Sequence, residues 1–353
     1  MSERAAGFSV GERRIGAGAR TFVVAEAGVN HNGDLALGEA LVDAAATAGA
    51  DAVKFQTFRT DALVSRAAPK AGYQVETTGA GESQREMLAR LELSPEAHAR
   101  LQECCAKRGV VFFSAPFDEA SADALERLGA PLIKIPSGEI TNVPFLRHVA
   151  RKRRPMIVST GMSTLDEVAV AVAAIRESGD PPIALLQCVS AYPAPPGDMN
   201  LRAMDTLRER FGVPVGLSDH TLGLEVALAA VARGATVIEK HLILDRTLAG
   251  PDHRASLEPG EMAALVRGIR VVEAALGDGE KRPMPSELDT RRVARKSLVA
   301  ARPIRAGERL VKDAVAIKRP GTGVSPAELE QALGRRVRRD LAADDVIDWT
   351  ALE

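Results

Sequence analysis

Eight short apolar runs, each followed by a stretch of helical period, occupy the chain from residue 21 to about 276, and this alternation constrains the fold more than any other feature. The runs are TFVVAEAGV, DAVKFQT, VVFFSAPF, LIKIPSG, PMIVSTGM, IALLQCV, VPVGLSDHT and VIEKHLIL. Between them lie segments such as DLALGEALVDAAATAGA, DEASADALERLGA, TLDEVAVAVAAIRESG and LGLEVALAAVARGA, several of which open at an Asp, Ser or Thr and close near a Gly. Strands that alternate with helices build a parallel sheet, because a parallel pair needs a crossover between its strands. Eight such units are the number that closes a (β/α)8 TIM barrel, an α/β fold. An open doubly wound sheet is the competing architecture, but no GxGxxG follows the first run.

In a barrel of this kind the chemistry sits at the C-terminal ends of the strands. Those ends are where the polar residues fall. The first run ends in Glu26 and NHNG, and the second holds Lys54 and Gln56. The fourth has Lys134, then Ser137 and Glu139, the fifth Ser159 and Thr160, and the sixth leads to Ser190 and Tyr192. The seventh ends in Ser218, Asp219 and His220, the eighth in Glu239, Lys240 and His241. So many polar groups at the ends of apolar strands are costly unless they converge on a wet, ligand-filled mouth.

Taken singly, His220 and His241 each fit a hydrogen-bonded structural histidine. As a pair at the ends of adjacent strands, they can share a divalent ion and leave positions open for water and substrate, a site suited to polarising a carbonyl. A histidine acting as general base needs no such partner. Asp219 and Glu239 are expected to orient the two rings. Lys54 and Lys134 lie inside apolar runs, where a lysine ordinarily lays its stem on the core and its head in solvent. Two lysines aimed into one mouth, with Ser159 and Ser218 nearby, suit a phosphate and a carboxylate better. Glu26 is expected to pair with one of these lysines, as a counter-ion or as the group that places a water or proton. His31 in NHNG fits a functional role and a turn equally. AGPDHRASLEP, residues 249–259, is a long polar loop with Asp252 and His253, of the kind that closes over ligands.

The length of 353 residues exceeds a typical single domain. After the last barrel helix, GDGEKRPMPSELDT is rich in Pro, Gly and charge, so the chain divides into a barrel over 1–280, a linker over 281–293 and a small domain of short strands and turns over 294–353. Residues 291–353 carry 14 Lys+Arg against 9 Asp+Glu, although the whole chain has a net charge of −1. A basic tail of this size meets nucleic acid or leans over a site for small anions, and 3% aromatic residues argue against stacking on single strands. Hydrophobic residues at 46% and charged residues at 26% describe a globular protein with no run near the ~18 residues that cross a bilayer. The N-terminal MSERAAGFSVGERRIGAG carries charges throughout and lacks the apolar core of a signal peptide. Cys104, Cys105 and Cys188 form neither a CxxC pair nor a zinc spacing, so a reducing cytoplasm is the expected setting.

AEAGVNHNGD, AVKFQTF, IKIPSGEI, VSTGMST, GLSDHT, IEKH, GPDHRASLEP and KRPGTGVSP stand in the order and spacing seen in the sialic acid synthases, and the chain resembles that family over nearly its whole length. Its C-terminal part resembles the family's antifreeze-like (SAF) domain, a small β-clip fold. APKAGYQVETTGAGESQREML is similar to the bacterial N-acetylneuraminate synthases that condense a free hexosamine rather than a 6-phosphate sugar. The resemblance implies a transferase that joins phosphoenolpyruvate to N-acetylmannosamine, with C–O cleavage releasing phosphate. A legionaminate-type synthase acting on a 2,4-diacetamido-trideoxy hexose is the alternative.

The same resemblance implies a divalent metal on His220 and His241, Mn²⁺ or else Mg²⁺ or Co²⁺. It places Lys54, Lys134, Ser137, Ser159 and Ser218 on phosphoenolpyruvate, and Glu139, Tyr192 and Asp252 on the sugar, with Ser190 as a further substrate contact. Glu26 would manage the water that attacks C2. Arg319 of KRPGTG would reach the N-acetyl group from the other subunit of a domain-swapped homodimer, which accounts for the basic tail without nucleic acid or membrane. The lysines would hold a trianion in line, which is positioning rather than covalent chemistry. A Schiff-base mechanism would need Lys54 or Lys134 as a neutral nucleophile, and two lysines around one anion argue against it. Ala115 in FFSAPF stands where many members have Thr, so Ser114 or a backbone group is expected to replace that phosphate contact. In QCVSAYP, Val189 and Ser190 stand where others carry an Asn, and Gln187 replaces a frequent His.

Overall fold

All eight apolar runs form strands of one closed parallel barrel in the computed structural model, which describes residues 7–79 and 81–353. A short antiparallel hairpin, β1 (Phe8–Val10) and β2 (Arg13–Ile15), precedes them. The barrel strands are β3 (Phe22–Gly28), β4 (Ala52–Thr57), β5 (Val111–Pro116), β6 (Ile133–Ile135), β7 (Met156–Ser159), β8 (Ile183–Cys188), β9 (Val215–Asp219) and β10 (Val237–His241). Each pairs with the next, and β10 returns to β3 with His241 opposite Glu26, which closes the ring. Residues 1–6 of the charged N-terminal stretch lie outside the described residues.

Strand alternation sorts the side chains into two layers. Val23, Ala25, Val53, Phe55, Ile133, Ile135, Leu217 and Ile238 point outward and pack under the helices in one extended core. Phe22, Val24, Ala52, Phe113, Ile157, Leu186 and Val237 point inward and fill the lower barrel. Val10 and Ile15 of the hairpin join this inner cluster and are fully buried, so the hairpin plugs the N-terminal end. Gly216 marks the tightest inner packing, since a Cβ there would lie 2.2 Å from the Val237 carbonyl. With the bottom filled by apolar side chains, a ligand has room only at the C-terminal mouth.

The helices begin and end on the expected signals. Asp34 accepts from Ala36 N at the head of Leu35–Ala48, and Gly49 ends it at φ 86°, where a side chain would be strained. Thr164 and Glu167 form a reciprocal cap on Leu165–Ser178. One connection departs from this economy. Between β4 and the helix Pro95–Arg108, residues 58–94 form three short helices, Thr60–Leu63, Gly72–Thr78 and Gln84–Ala89. Lys70 ties the middle of this excursion together, its Nζ donating to Thr78 Oγ1, the Gly79 carbonyl and Glu82 Oε1 at 2.9–3.0 Å.

The first compact unit ends at Gly277, and the second spans Asp278–Glu353. The stretch read as a linker contains a helical turn at Pro285–Glu287 and an exposed helix at Leu288–Ala294. Beyond it β11 (Ser297–Ala300) pairs antiparallel with β12 (Val315–Lys318). Leu298, Ile304, Leu310, Val337, Ile347 and Leu352 build a separate core for this unit. No described helix is long and apolar enough to cross a membrane, and all three cysteines are free thiols.

Candidate active site

The inward positions at the top of the strands are charged instead of apolar. Glu239 on β10 sits at the centre. Its carboxylate accepts from Lys54 Nζ at 2.9 Å, from Lys134 Nζ at 2.9 and 3.1 Å, and from Ser218 Oγ at 3.1 Å. Lys134 also donates to Ser159 Oγ at 2.6 Å, and Lys54 lies 3.3 Å from Glu26 Oε1. All four ionisable groups are buried. Burial pushes Glu239 up, but Lys134 and Lys54 outweigh it and hold the carboxyl well below its usual range. Burial lifts Glu26 to about 7 against the pull of Lys54, so this carboxyl takes up a proton near neutrality. Its Oε2 is buried with no hydrogen-bond partner among the described residues. Two lysines thus share one firmly ionised carboxylate, an arrangement that an incoming phosphate or carboxylate can enter.

Above this floor stand the two histidines, ring centroids 5.3 Å apart. His220 meets the Val189 carbonyl through Nδ1 at 2.7 Å. A carbonyl only accepts, so Nδ1 carries a proton and Nε2 is the nitrogen left for a ligand. His241 is buried with no hydrogen-bond partner for Nδ1 among the described residues, and burial together with the His220 and Lys54 charges pushes its pKa well below the ordinary value. Burial opposes a charge on His220 but the neighbouring Cys188 outweighs it and raises its pKa, so a divalent ion would displace a proton to take His220 beside the neutral His241. Among the described residues no third His, Cys, Asp or Glu completes a metal-binding group, so water and substrate oxygens would supply the remaining ligands. Tyr192 stacks on His220 with centroids 4.1 Å apart, and Tyr73 from the excursion after β4 reaches Tyr192 at 5.0 Å. Asp252 faces the same space, and burial raises its pKa to about 6. The space enclosed is a cavity of about 410 Å³.

The family model for the NeuB family matches residues 41–281, more than half of the sequence. The chain belongs to the NeuB family. The SAF domain model matches residues 295–353 of this NeuB-family protein. It is 48% identical over 336 residues to the N,N'-diacetyllegionaminic acid synthase of Legionella pneumophila, with 94% of each chain covered. It is 36% identical over 337 residues to the N-acetylneuraminate-9-phosphate synthase of Homo sapiens, which covers 95% of this chain and 93% of that relative. A solved structure of N-acetylneuraminic acid (sialic acid) synthetase from Leptospira borgpetersenii in complex with citrate matches at TM-score 0.71 and 35% identity, covering 80% of this chain and 94% of that one.

Most residues singled out in the NeuB-family sequence meet in this cavity. Glu26, Lys54, Lys134, Ser137, Ser159, Ser190, Tyr192, Ser218, His220, His241 and Asp252 all line it. Gly161 allows the loops to close, because a Cβ there would lie 2.5 Å from Ser190 Oγ and 2.8 Å from Ser137 Oγ. Glu139 falls just outside: Gly138 faces the cavity, while the Glu139 carboxylate accepts from Asn142 Nδ2 at 2.7 Å. Arg319 belongs to the second unit, where it is exposed.

Several expectations are corrected. Glu239 and Asp219 do not orient the histidine rings. Glu239 serves the two lysines, and Asp219 points to the outer face, where it accepts from Thr221 and Lys240. The Val189 carbonyl does the orienting for His220. Ser114 cannot replace a contact at position 115, because strand alternation turns it outward to Thr57 Oγ1 at 2.7 Å. Gln187 likewise faces away and donates to the Met199 carbonyl. His31 serves the turn, its Nδ1 accepting from Gly33 N at 3.0 Å. Sequence reasoning missed Tyr73, Gln74, Leu63, Met87, Leu88 and Leu91, all of which line the cavity from the excursion after β4. The available signal was its length, since βα connections ordinarily take 2–6 residues.

Proposed function

We propose that this chain condenses phosphoenolpyruvate with the open-chain form of an N-acylated amino hexose, yielding a nonulosonate and inorganic phosphate. The observation that carries the reading is the convergence of Lys54, Lys134 and Ser218 on one carboxylate, with Ser159 on Lys134, beneath the paired rings of His220 and His241. The lysines would grip the phosphate and carboxylate of phosphoenolpyruvate, taking its negative charge in place of Glu239. The C2=C3 double bond of phosphoenolpyruvate opens as C3 bonds to C1 of the sugar, whose aldehyde oxygen takes a proton. A water oxygen bonds to C2, the C2–O bond to phosphate breaks, and the two water protons end on the sugar hydroxyl and the phosphate. Glu26 would hold that water or its proton, being a buried carboxyl that titrates near neutrality beside Lys54. Asp252 and Tyr192 would fix the sugar. His220 and His241 would hold a divalent ion, with Mn²⁺ our first choice over Mg²⁺ and Co²⁺, and that ion when bound would supply Lewis-acid polarisation of the sugar aldehyde.

For the sugar, the 48% identity to a diacetyllegionaminic acid synthase, against 36% to the human neuraminate-9-phosphate synthase, favours the 2,4-diacetamido-trideoxy hexose over N-acetylmannosamine. We also propose a domain-swapped homodimer in which Arg319 of the partner subunit reaches the N-acetyl group. The deciding experiment measures phosphate release from phosphoenolpyruvate with each sugar, with and without EDTA. Release that depends on sugar and stops with EDTA is expected. Release that ignores EDTA removes the metal from the scheme, and no release with either sugar removes the condensation.

A further inference from the structure

A chain of aromatic rings runs from the excursion after β4 to the paired histidines. Tyr192 lies on His220 with ring centroids 4.1 Å apart and planes at 33°, and it meets His241 edge-on at 5.7 Å and 88°. One ring therefore braces both histidines, whose own centroids are 5.3 Å apart. The Val189 carbonyl fixes only the Nδ1 edge of His220, and a single hydrogen bond leaves a ring free to rock about it. The contact with the face of Tyr192 is what sets the plane.

Tyr192 itself needs support. It follows the end of β8 by four residues, in a segment that is neither helix nor strand, and it is half-buried. Tyr73 supplies that support, its ring meeting Tyr192 at 5.0 Å and 30° and lining the same cavity. Tyr73 is carried by the helix Gly72–Thr78, which has no buried residue and, at seven residues, is too short to persist by itself. Tertiary contacts hold it in place. Lys70 Nζ donates to Thr78 Oγ1 at 2.9 Å, Thr77 Oγ1 donates to the Pro251 carbonyl at 3.5 Å, and Arg254 pairs with Glu76 at 3.3 Å. The helix thus spans from the excursion to the loop that carries Asp252. It adds nothing to the barrel core, and what it brings to the cavity is Tyr73 with Gln74.

We propose that Tyr73 is a positioning residue whose ring holds Tyr192 against His220 and so keeps the two histidines set for a shared divalent ion. The inference rests on the metal-assisted condensation reading for what the histidines do, and on the ring geometry alone for how they are held. An aromatic pair of this kind contributes roughly 2–10-fold to an equilibrium, which bounds the effect.

Titration of the substrate-free protein with Co²⁺, followed by absorption, reads the histidine pair without turnover. Tyr73→Leu is expected to raise the Kd for Co²⁺ roughly 2–10-fold, and Tyr73→Phe, which keeps the ring, to leave it within about twofold. In a Tyr192→Leu background, Tyr73→Leu should add nothing, because Tyr73 acts only through Tyr192. A Kd that Tyr73→Leu leaves unchanged, a Tyr73→Phe variant that loses as much as Tyr73→Leu, or full additivity with Tyr192→Leu overturns the proposal while the condensation stands. Tyr73→Met repeats the test if Tyr73→Leu fails to fold. Absence of phosphate release with either sugar removes the condensation and leaves the Co²⁺ comparison to decide Tyr73. If the unaltered protein takes no Co²⁺, the metal reading fails, and ¹H–¹⁵N spectra of the histidine rings in the metal-free protein decide instead. His220 signals that move in Tyr73→Leu but not in Tyr73→Phe support the positioning role, and signals that stay in place overturn it.

Discussion

Neighbouring residues in the two histidine-bearing strands belong to different parts of the molecule. Side chains alternate along a strand, so Ser218, His220, Glu239 and His241 face the cavity while Asp219 and Lys240 face the helices. Lys240 Nζ donates to Asp219 Oδ2 at 2.7 Å, and both side chains are fully buried. Breaking such a pair leaves an uncompensated charge and costs about 3–5 kcal/mol. Asp219→Asn is therefore expected to lower Tm by on the order of 10 °C while KM for phosphoenolpyruvate stays where it was. Lys134→Met should separate the two effects the other way. It removes one charge-assisted hydrogen bond to the substrate anion, about 1.5–3 kcal/mol, and raises KM for phosphoenolpyruvate roughly 10–150-fold. Melting curves and initial rates on the two variants check the contrast. A shift in KM with Asp219→Asn would place that residue at the site after all.

At the scale of elements, the eight strands were legible because short apolar runs alternated with capped helical stretches, and the polar residues at their ends marked the mouth. Two elements were not legible. The hairpin strands are three residues each, too short for any period to register, and exist because Val10 and Ile15 find cover beneath the barrel. The excursion over residues 58–94 has, among its described residues, no helix longer than seven residues and is held by Lys70, a polar clamp with no sequence signature. The loop after β10 shows a further tertiary device. Asn30 Nδ2 donates to the Leu242 carbonyl at 2.8 Å and to Ser256 Oγ at 2.9 Å, and Ser256 Oγ in turn donates to the Asp252 carbonyl at 2.8 Å. The NHNG turn thus fixes the backbone of Asp252, which explains why a motif that resembles an active-site signature contributes no side chain of its own to the cavity. Asn30→Ala is expected to raise sugar KM about tenfold, the equivalent of one lost hydrogen bond, with KM for phosphoenolpyruvate unchanged. Amide exchange across residues 249–257 should speed up in the same variant. Unchanged exchange there would show that the relay does not hold the loop.

At the scale of the whole molecule, the two units differ in charge as well as in fold. The excess of basic residues after Arg291 leaves the barrel unit acidic on balance, yet the barrel's cavity is built to receive an anion with two lysines already committed to Glu239. A cation supplied from outside would add to the attraction for a second substrate without adding a third buried lysine, whose desolvation would cost several kcal/mol. Arg319 is exposed on the second unit and makes no ion pair among the described residues. In the proposed homodimer, Arg319 of the partner subunit fills that role, so Arg319→Ala should raise sugar KM by at least about tenfold and leave phosphoenolpyruvate nearly untouched. Complementation then tests whether the residue acts across subunits. Co-expressing Arg319→Ala with Lys134→Met, each with its own affinity tag, yields heterodimers in which one site carries both lesions and the other neither only if Arg319 reaches the partner's site. If Arg319 acts across subunits, the doubly purified heterodimer recovers about half the activity of the unaltered protein. If it acts within its own chain, each site keeps one lesion and no recovery follows.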